Sequence, residues 1–310
     1  MSGINYVTLR PGLPPSSRLG FGCGSVMGRV GRTESLRAIA AAVDAGITHF
    51  DVARLYGYGE AEALLGEALR GCRDRVVIAT KFGLEPPRAA SVLRRLKPLA
   101  QQAAARVPGV RPLLRSVIGT KAQAADRFSV PAARAAIEQS LKALRTDYLD
   151  ILFLHDCAAA DWTEELREFL DRQVATGAIR AFGAATDVAT IAGLHCRQGD
   201  AMVHQFANSI CVPNAARLPR NARRFVCHSP FAGAERLRKS GLRLPGGHLA
   251  RPQETHRLML EAALAADNVA VVLCSMLDPA HLRANLAAVT DPVFAPEDLA
   301  EASAQLAAAA

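Results

Sequence analysis

Little in this chain advertises its business at first sight. It has one tryptophan, and aromatic residues make up 5% of its 310 residues. Its seven cysteines, at 23, 72, 157, 196, 211, 227 and 274, are odd in number, scattered and without a CxxC spacing. That argues against a disulfide framework and against a clustered metal site, and it suits reduced thiols buried as small apolar residues. The opening stretch MSGINYVTLRPGLPPSSRLG holds no apolar run of the secretory kind. The apolar run VAVVLCSML (269–277) is too short to cross a bilayer. A cytoplasmic protein with no membrane association is expected. No GxGxxG follows the first apolar run; Gly20, Gly22 and Gly24 are spaced by two along it, so the phosphate-cradling turn of a dinucleotide-binding fold is missing.

What is present is a chain half hydrophobic in composition, of a length that suits one large domain or two small ones. The formal charge of +8 is uneven. Residues 84–128 hold nine basic side chains against Glu85 and Asp126, a net +7, and the remainder is close to neutral. Phe128 is the only aromatic residue of that segment, so the aromatic interleaving of a nucleic-acid surface is missing and no nucleic-acid partner is expected. A solvated amphipathic helix and a lid over an anionic or carrier-bound substrate are both open readings of its charge.

Short β-rich runs near 19–24, 47–53, 76–82, 148–154, 179–185, 202–208, 224–229 and 269–275 alternate with 3.6-period stretches near 33–45, 59–70, 129–145, 162–176, 187–197, 254–267 and 278–288. Thr33 and Glu34 are read as opening one helix and Asp278-Pro279 another, while Gly46 and Gly177 close two. Eight strands alternating with helices, without the glycine fingerprint, predict an α/β fold of the (β/α)8 TIM-barrel type. We read 1–310 as one barrel domain. Its regular alternation is interrupted by the basic insertion 84–128, with a helix near 89–106, between the third strand and the next helix. A second interruption, 210–223, promises at most one or two helical turns.

Asp51, Lys81 and His155 fall at the ends of the second, third and fourth strands, with Tyr56 in the loop after Asp51. Strand ends of a parallel barrel open on one face, where such folds do their chemistry. Singly, each residue has a bland reading: a turn cap, a solvated charge, a hydrogen-bonded histidine. Jointly they are informative, because lysines are five of the 37 basic residues and tyrosines number four. A phenol titrates near 10, and a close ammonium lowers that value by ~1–3 units. Asp51 would hold the ammonium charged and oriented, Tyr56 would exchange the proton, and His155 would hydrogen-bond the same substrate oxygen. Trp162 is read as anchoring a helix start.

HFDVARLYGYGEAEALLGEAL, VVIATKFG and LKALRTDYLDILFLHD resemble the landmarks of the aldo-keto reductase superfamily from about Leu19 to Asn285. The resemblance implies a catalytic set of Asp51, Tyr56, Lys81 and His155, and a nicotinamide cofactor, NADP(H) in preference to NAD(H). It implies cofactor contacts from Thr186, Gln205, His228, Ser229, Phe231, Ser275, His281 and Asn285, and no metal. The sequence departs from the pattern in three places. Ala185-Thr186 stands where a Ser-Asn pair usually holds the carboxamide, leaving Thr186 or Asp187 to replace those contacts. His228 stands where a tyrosine stacks on the nicotinamide. No Lys/Arg pair for a 2′-phosphate follows the eighth strand, so Arg236, Arg238 or Lys239 would have to supply that charge. The expectation is an NAD(P)H-dependent oxidoreductase acting on a small-molecule carbonyl or alcohol. The alternative is a catalytically weak barrel serving as a cofactor-sensing regulatory or interaction subunit.

Overall fold

The computed structural model describes residues 3–86, 126–198, 202–219, 225–239 and 252–308. Eight parallel strands close into a barrel: β1 Leu19–Gly22, β2 His49–Asp51, β3 Val77–Phe82, β4 Leu149–His155, β5 Ile179–Ala185, β6 His204–Ala207, β7 Phe225–His228 and β8 Val269–Cys274. Each pairs with its sequence neighbour, and β8 pairs with β1 to complete the ring. Around it lie α1 Arg32–Asp44, α2 Ala61–Ala68, α3 Val130–Leu144, α4 Glu164–Ala175, α5 Val188–Gln198, α6 Ala234–Lys239, α7 Pro252–Ala265, α8 Pro279–Thr290 and α9 Pro296–Ala308. The expected (β/α)8 barrel is the fold observed. Residues 87–125, with eight of the nine basic side chains of 84–128 and the helix expected near 89–106, lie outside the described residues.

Side-chain alternation explains the layering. Successive residues of a strand point to opposite faces. Val77 and Ala79 of β3, Ile151 and Phe153 of β4, and Ala181 and Ala185 of β5 therefore fill the barrel interior together with Val203, Val226 and Val271. Ile78, Phe82, Leu152, Leu154 and Phe182 face outward into the layer shared with the helices. Both faces are covered, so β3 and β8 are buried along their whole length, as parallel strands require. The interior has no spare room at β1: a Cβ on Gly20 would sit 2.6 Å from Leu273 Cδ2.

Helix ends follow from local chemistry. Ser129, Thr163 and Asp278 accept from backbone amides of α3, α4 and α8, and α3 and α8 carry a proline in the first turn. Gly46 and Gly177, with φ of +86° and +80°, follow α1 and α4. One cap differs from expectation: α1 starts at Arg32 after Gly31, without a side-chain cap, so Thr33 lies inside the first turn. The 210–223 stretch yields a single 3-10 turn at Asn214–Arg217 among its described residues.

Three elements escaped the sequence reading. An N-terminal hairpin pairs Tyr6–Val7 with Ser16–Ser17, and its Leu9 and Leu13 join the interior cluster at the start of the barrel. Helix α6 lies where a loop was expected. The alanine-rich C-terminus forms α9, which buries Leu299, Ala302 and Leu306 beside Leu237 of α6 and Leu258 of α7.

Below the strand ends, the fully buried Asp150 of β4 accepts from Ile78 N at 2.9 Å and pairs with Arg73 at 2.7 Å and Arg180 at 2.9 Å. The two guanidiniums flank the Tyr148 ring, at 4.1 and 3.9 Å from its centroid. Removing one partner of a buried ion pair strands the other, at ~3–5 kcal/mol. Asp150→Ala is expected to lose about 3 kcal/mol in urea denaturation, the lower end because Arg180 is partly exposed; a loss below about 1 kcal/mol would show the network to be ornamental.

Candidate active site

The alternation that fills the barrel also delivers the chemistry. Lys81 continues the inward row Val77–Ala79, His155 continues Ile151–Phe153, and Asp51 follows His49 on β2. In register, Asp51 lies beside Ala79, Lys81 beside Phe153 and His155 beside Ala185. The last inward position of three neighbouring strands therefore carries a charged or polar side chain over an apolar floor. Tyr56 arrives from the turn Tyr56–Gly59, which needs left-handed backbone at Gly57 (φ +58°) and Tyr58 (φ +60°).

Lys81 is 2% exposed, and its Nζ donates to Asp51 Oδ1 at 2.5 Å and to the Val52 carbonyl at 3.0 Å. The other carboxylate oxygen accepts from Gln205 Nε2 at 2.7 Å. The ammonium lies 5.1 Å from the centroid of the Tyr56 ring, and that ring meets His155 edge to face at 6.2 Å and 89°. Burial works against the charged lysine, but Asp51 and then Tyr56 outweigh it and hold its pKa above the ordinary value.

The phenol behaves differently from expectation. Burial pushes the Tyr56 pKa up, Lys81 pulls it down, Asp51 pushes it up again, and the net direction is upward. The carboxylate that neutralises the ammonium also blunts its pull on the phenol, so burial prevails. Cys23, fully buried beside the pair, is raised by burial and is no nucleophile.

The four catalytic candidates and the eight principal cofactor-contact candidates read from the sequence all line one cleft of about 1160 Å³ at the C-terminal ends of the strands. Their surroundings sharpen several of the expectations. The Thr186 hydroxyl donates to the Cys157 carbonyl at 2.7 Å, so it retains acceptor capacity only. Asp187 is consumed as the cap of α5, accepting from Ala189 N, Thr190 N and Thr190 Oγ1. Its pKa is lowered chiefly by the Thr190 amide, and most of its acceptor capacity is committed to that cap although it lines the cleft. His228 Nδ1 is 2.9 Å from Ser229 Oγ, and burial, the dominant influence, lowers its pKa. The imidazole is thus neutral at pH 7. Ser229 (φ +59°) and Asp156 (φ +61°) each follow a cleft histidine and turn the chain out of its strand through left-handed backbone.

Towards α7 and α8 the cleft is lined by Phe231, His256, Ser275, His281 and Asn285. Phe231 stacks on His256 at 4.4 Å and 21°. Asn285 is 1% exposed, and its Oδ1 makes no well-formed hydrogen bond. His256 escaped the sequence reading because nothing marks a lone histidine inside a helix. Arg29, in a turn after β1, and Arg217, at the end of the 3-10 turn Asn214–Arg217, also line the cleft, and neither belongs to a motif. The basic residues expected to meet a 2′-phosphate are placed otherwise. Arg236 donates to the Leu306 carbonyl at 3.0 Å and Arg238 pairs with Glu235, both on α6, and neither lines the cleft; the Lys239 side chain lies outside the described residues. Trp162 precedes α4 and stacks on Phe182 at 6.2 Å, away from the cleft lining.

Comparison with known proteins bears on the family and the fold. The model of the aldo/keto reductase family matches residues 18–211. The aldo-keto reductase YhdN of Bacillus subtilis is 30% identical over 176 residues, 55% of this chain and 43% of that protein, so the match spans under half of the relative's length. The aldo-keto reductase AKR11C1 of Bacillus halodurans, in its holo form, superposes with a TM-score of 0.71 at 23% identity, covering 98% of this chain and 96% of that one. An aldo-keto reductase of Klebsiella pneumoniae, solved in complex with NADPH, gives 0.62 at 23% identity over 94% and 91% of the two chains.

Lys81 and Tyr56 both hold their protons more tightly than in an unfolded chain. Above the ordinary tyrosine value of 10.0 the unfolded state loses protons that the native state keeps, so stability falls as pH rises. Denaturant midpoints are expected to drop between pH 9 and pH 11, and to drop less in Tyr56→Phe. Equal losses in the two proteins would remove Tyr56 from the linkage.

Proposed function

This chain belongs to the aldo/keto reductase family, and on that premise we propose that it is an NAD(P)H-dependent oxidoreductase interconverting a carbonyl and an alcohol. The observation that carries the reading is the convergence of Tyr56, Lys81, Asp51 and His155 at the mouth of one barrel, inside a cleft of about 1160 Å³. That volume slightly exceeds the usual range for a single small-molecule site, as a cleft shared by cofactor and substrate requires.

The residues present fit a nicotinamide dinucleotide. The buried Asn285 lines the cleft, and its Oδ1 makes no well-formed hydrogen bond beyond its interaction with His256, which leaves it acceptor capacity toward a ligand. Ser275, His281, Ser229 and Phe231 line the same cleft, and His228 presents a flat neutral ring near Gln205 and Asp51. NADP(H) is the preferred form, in keeping with the Klebsiella complex, with NAD(H) as the alternative. When bound, the nicotinamide supplies or accepts the hydride.

The protein's own groups do the rest. Tyr56, held protonated at neutral pH, donates its proton to the carbonyl oxygen during reduction and receives it back during oxidation. Lys81 supports the phenolate left behind, Asp51 keeps the ammonium charged, and Gln205 and the Val52 carbonyl keep both partners in place. His155, edge-on to the phenol, orients the substrate oxygen. The whole chain is read as one domain with 84–128 as a basic insertion, whose charge is the reason to include anionic or carrier-bound carbonyls among the substrates.

A second reading draws support from the end of β5: Thr186 and Asp187 spend their polar groups on the protein itself. A barrel that binds cofactor without fast turnover would serve as a sensor or interaction subunit. Titration with NADPH and NADH, followed by assay against simple aromatic aldehydes, separates the two. We expect saturable binding and turnover, with Tyr56→Phe lowering kcat by ~10²–10⁴ at unchanged cofactor Kd. Alcohol oxidation should speed up with pH through the tyrosine range while reduction is flat near neutrality. Binding without turnover over a broad carbonyl panel would favour the sensor.

A further inference from the structure

The loops bearing Tyr56 and His155 are each held by one arginine that stays out of the cleft lining. Arg54, two residues before Tyr56, is 11% exposed in its side chain. It grips Glu85 with two parallel hydrogen bonds, Nε to Oε1 at 2.8 Å and a terminal nitrogen to Oε2 at 2.6 Å, and reaches Gln139 of α3 at 2.6 Å. One guanidinium thus ties the Tyr56 loop to the segment leaving β3 and to the helix behind it. Forked pairing of this kind fixes geometry as well as supplying energy.

Arg127 does the matching work on the other side. It donates to the carbonyl of Asp156 at 2.9 Å, the left-handed residue directly after His155. Its own place is set by stacking 4.7 Å from the Phe128 ring, which meets Phe82 of β3 at 5.6 Å. Phe128 seats against Gly83, whose φ is +102° and where a Cβ would fall 2.2 Å from the ring. Glu85 and Arg127 lie in the described ends of the 84–128 stretch, so those two ends meet the barrel at the loops of the proposed proton donor and its neighbour.

We propose that Arg54 and Arg127 are positioning residues, holding Tyr56 and His155 in register with Lys81 while the chain between β3 and α3 leaves and rejoins the barrel at that point. This inference rests on the oxidoreductase reading. Near-attack geometry tolerates little error, and a displacement of ~1 Å can cost ~10²-fold in rate. An ordinary exposed ion pair would contribute little stability and nothing to rate.

The test compares Arg54→Ala, Arg127→Ala and the exchanged pair Arg54→Glu with Glu85→Arg against the unaltered protein. The measurements are the thermal midpoint, NADPH Kd, kcat, KM, phenolate absorbance of Tyr56 (as the difference from Tyr56→Phe) and the NMR signals of the His155 ring. In Arg54→Ala we expect kcat to fall ~10-fold or more, with NADPH Kd and KM nearly unchanged and Tyr56 ionising closer to the ordinary tyrosine value as water reaches the ring. The exchanged pair should recover most of both losses. Arg127→Ala should move the His155 signals. A kcat that falls only in step with the folded fraction, with Tyr56 ionisation and His155 signals unmoved, overturns the proposal. If the unaltered protein reduces no carbonyl, the functional reading fails on its own, and the absorbance and NMR measurements still decide whether the arginines position these rings.

Discussion

A buried ammonium beside a buried carboxylate is the constraint on which the site depends. Removing Lys81 and Asp51 from water is expensive, and their attraction repays it only with good geometry and full hydrogen bonding. The barrel supplies both: Lys81 contacts Asp51 and the Val52 carbonyl, and Gln205 from the far side of the ring takes the second carboxylate oxygen. Three strands are thereby stitched across the barrel mouth by side chains, and the phenol is placed against a cation that is already spoken for. The carboxylate offsets part of the cation's pull, and burial, the largest influence, leaves Tyr56 holding its proton. A naked lysine would drain the proton from the phenol, and burial without a lysine would leave the phenolate unsupported.

The floor and rim of the site come from different parts of the same physics. Period-two alternation sets apolar layers beneath the charged one, closing the barrel from below with Phe153, Val77 and the hairpin leucines. His49, directly inward of Asp51 on β2, is kept neutral by burial, with a pKa of about 4, and its Nδ1 lies 3.1 Å from Ser16 Oγ. The interior below the ion pair thus adds no competing charge. At the rim, the chain must leave each strand abruptly, and Asp156, Ser229, Tyr58 and Gly83 do so through left-handed backbone. Strain gathers where side chains must be aimed.

The barrel and its polar face were legible in the sequence because both follow from periodicity. Runs such as VVIATKFG and YLDILFLHD place Lys81 and His155 by counting in twos from apolar neighbours, and the boundaries of the eight strands came close to those observed. What was hidden depends on distant partners. The alanine-rich C-terminus reads as a plain tail until Leu299, Ala302 and Leu306 find α6 and α7 to pack against. His256 acquires meaning only through Phe231, which is contributed by the turn after β7. The direction of the Tyr56 shift likewise needed the depth of its burial, which no local pattern encodes.

The departures at β5 and β7 have a common logic. Thr186 and Asp187 turn their polar groups to the protein, one to a backbone carbonyl and one to a helix N-terminus, so the end of β5 is rigid but poor in free donors. Across the cleft His228 is neutral and fastened to Ser229, which fixes its ring plane without offering a charge. On the proposed reading, such a site would recognise a flat, neutral ring chiefly through shape, with few side-chain hydrogen bonds of its own. Affinity for a dinucleotide is, on the same reading, drawn from the opposite end of the cleft, where the stacked Phe231–His256 rings and the buried Asn285 lie. That reading shifts the burden of cofactor binding away from the reacting ring and leaves the ring's placement to the walls of the barrel.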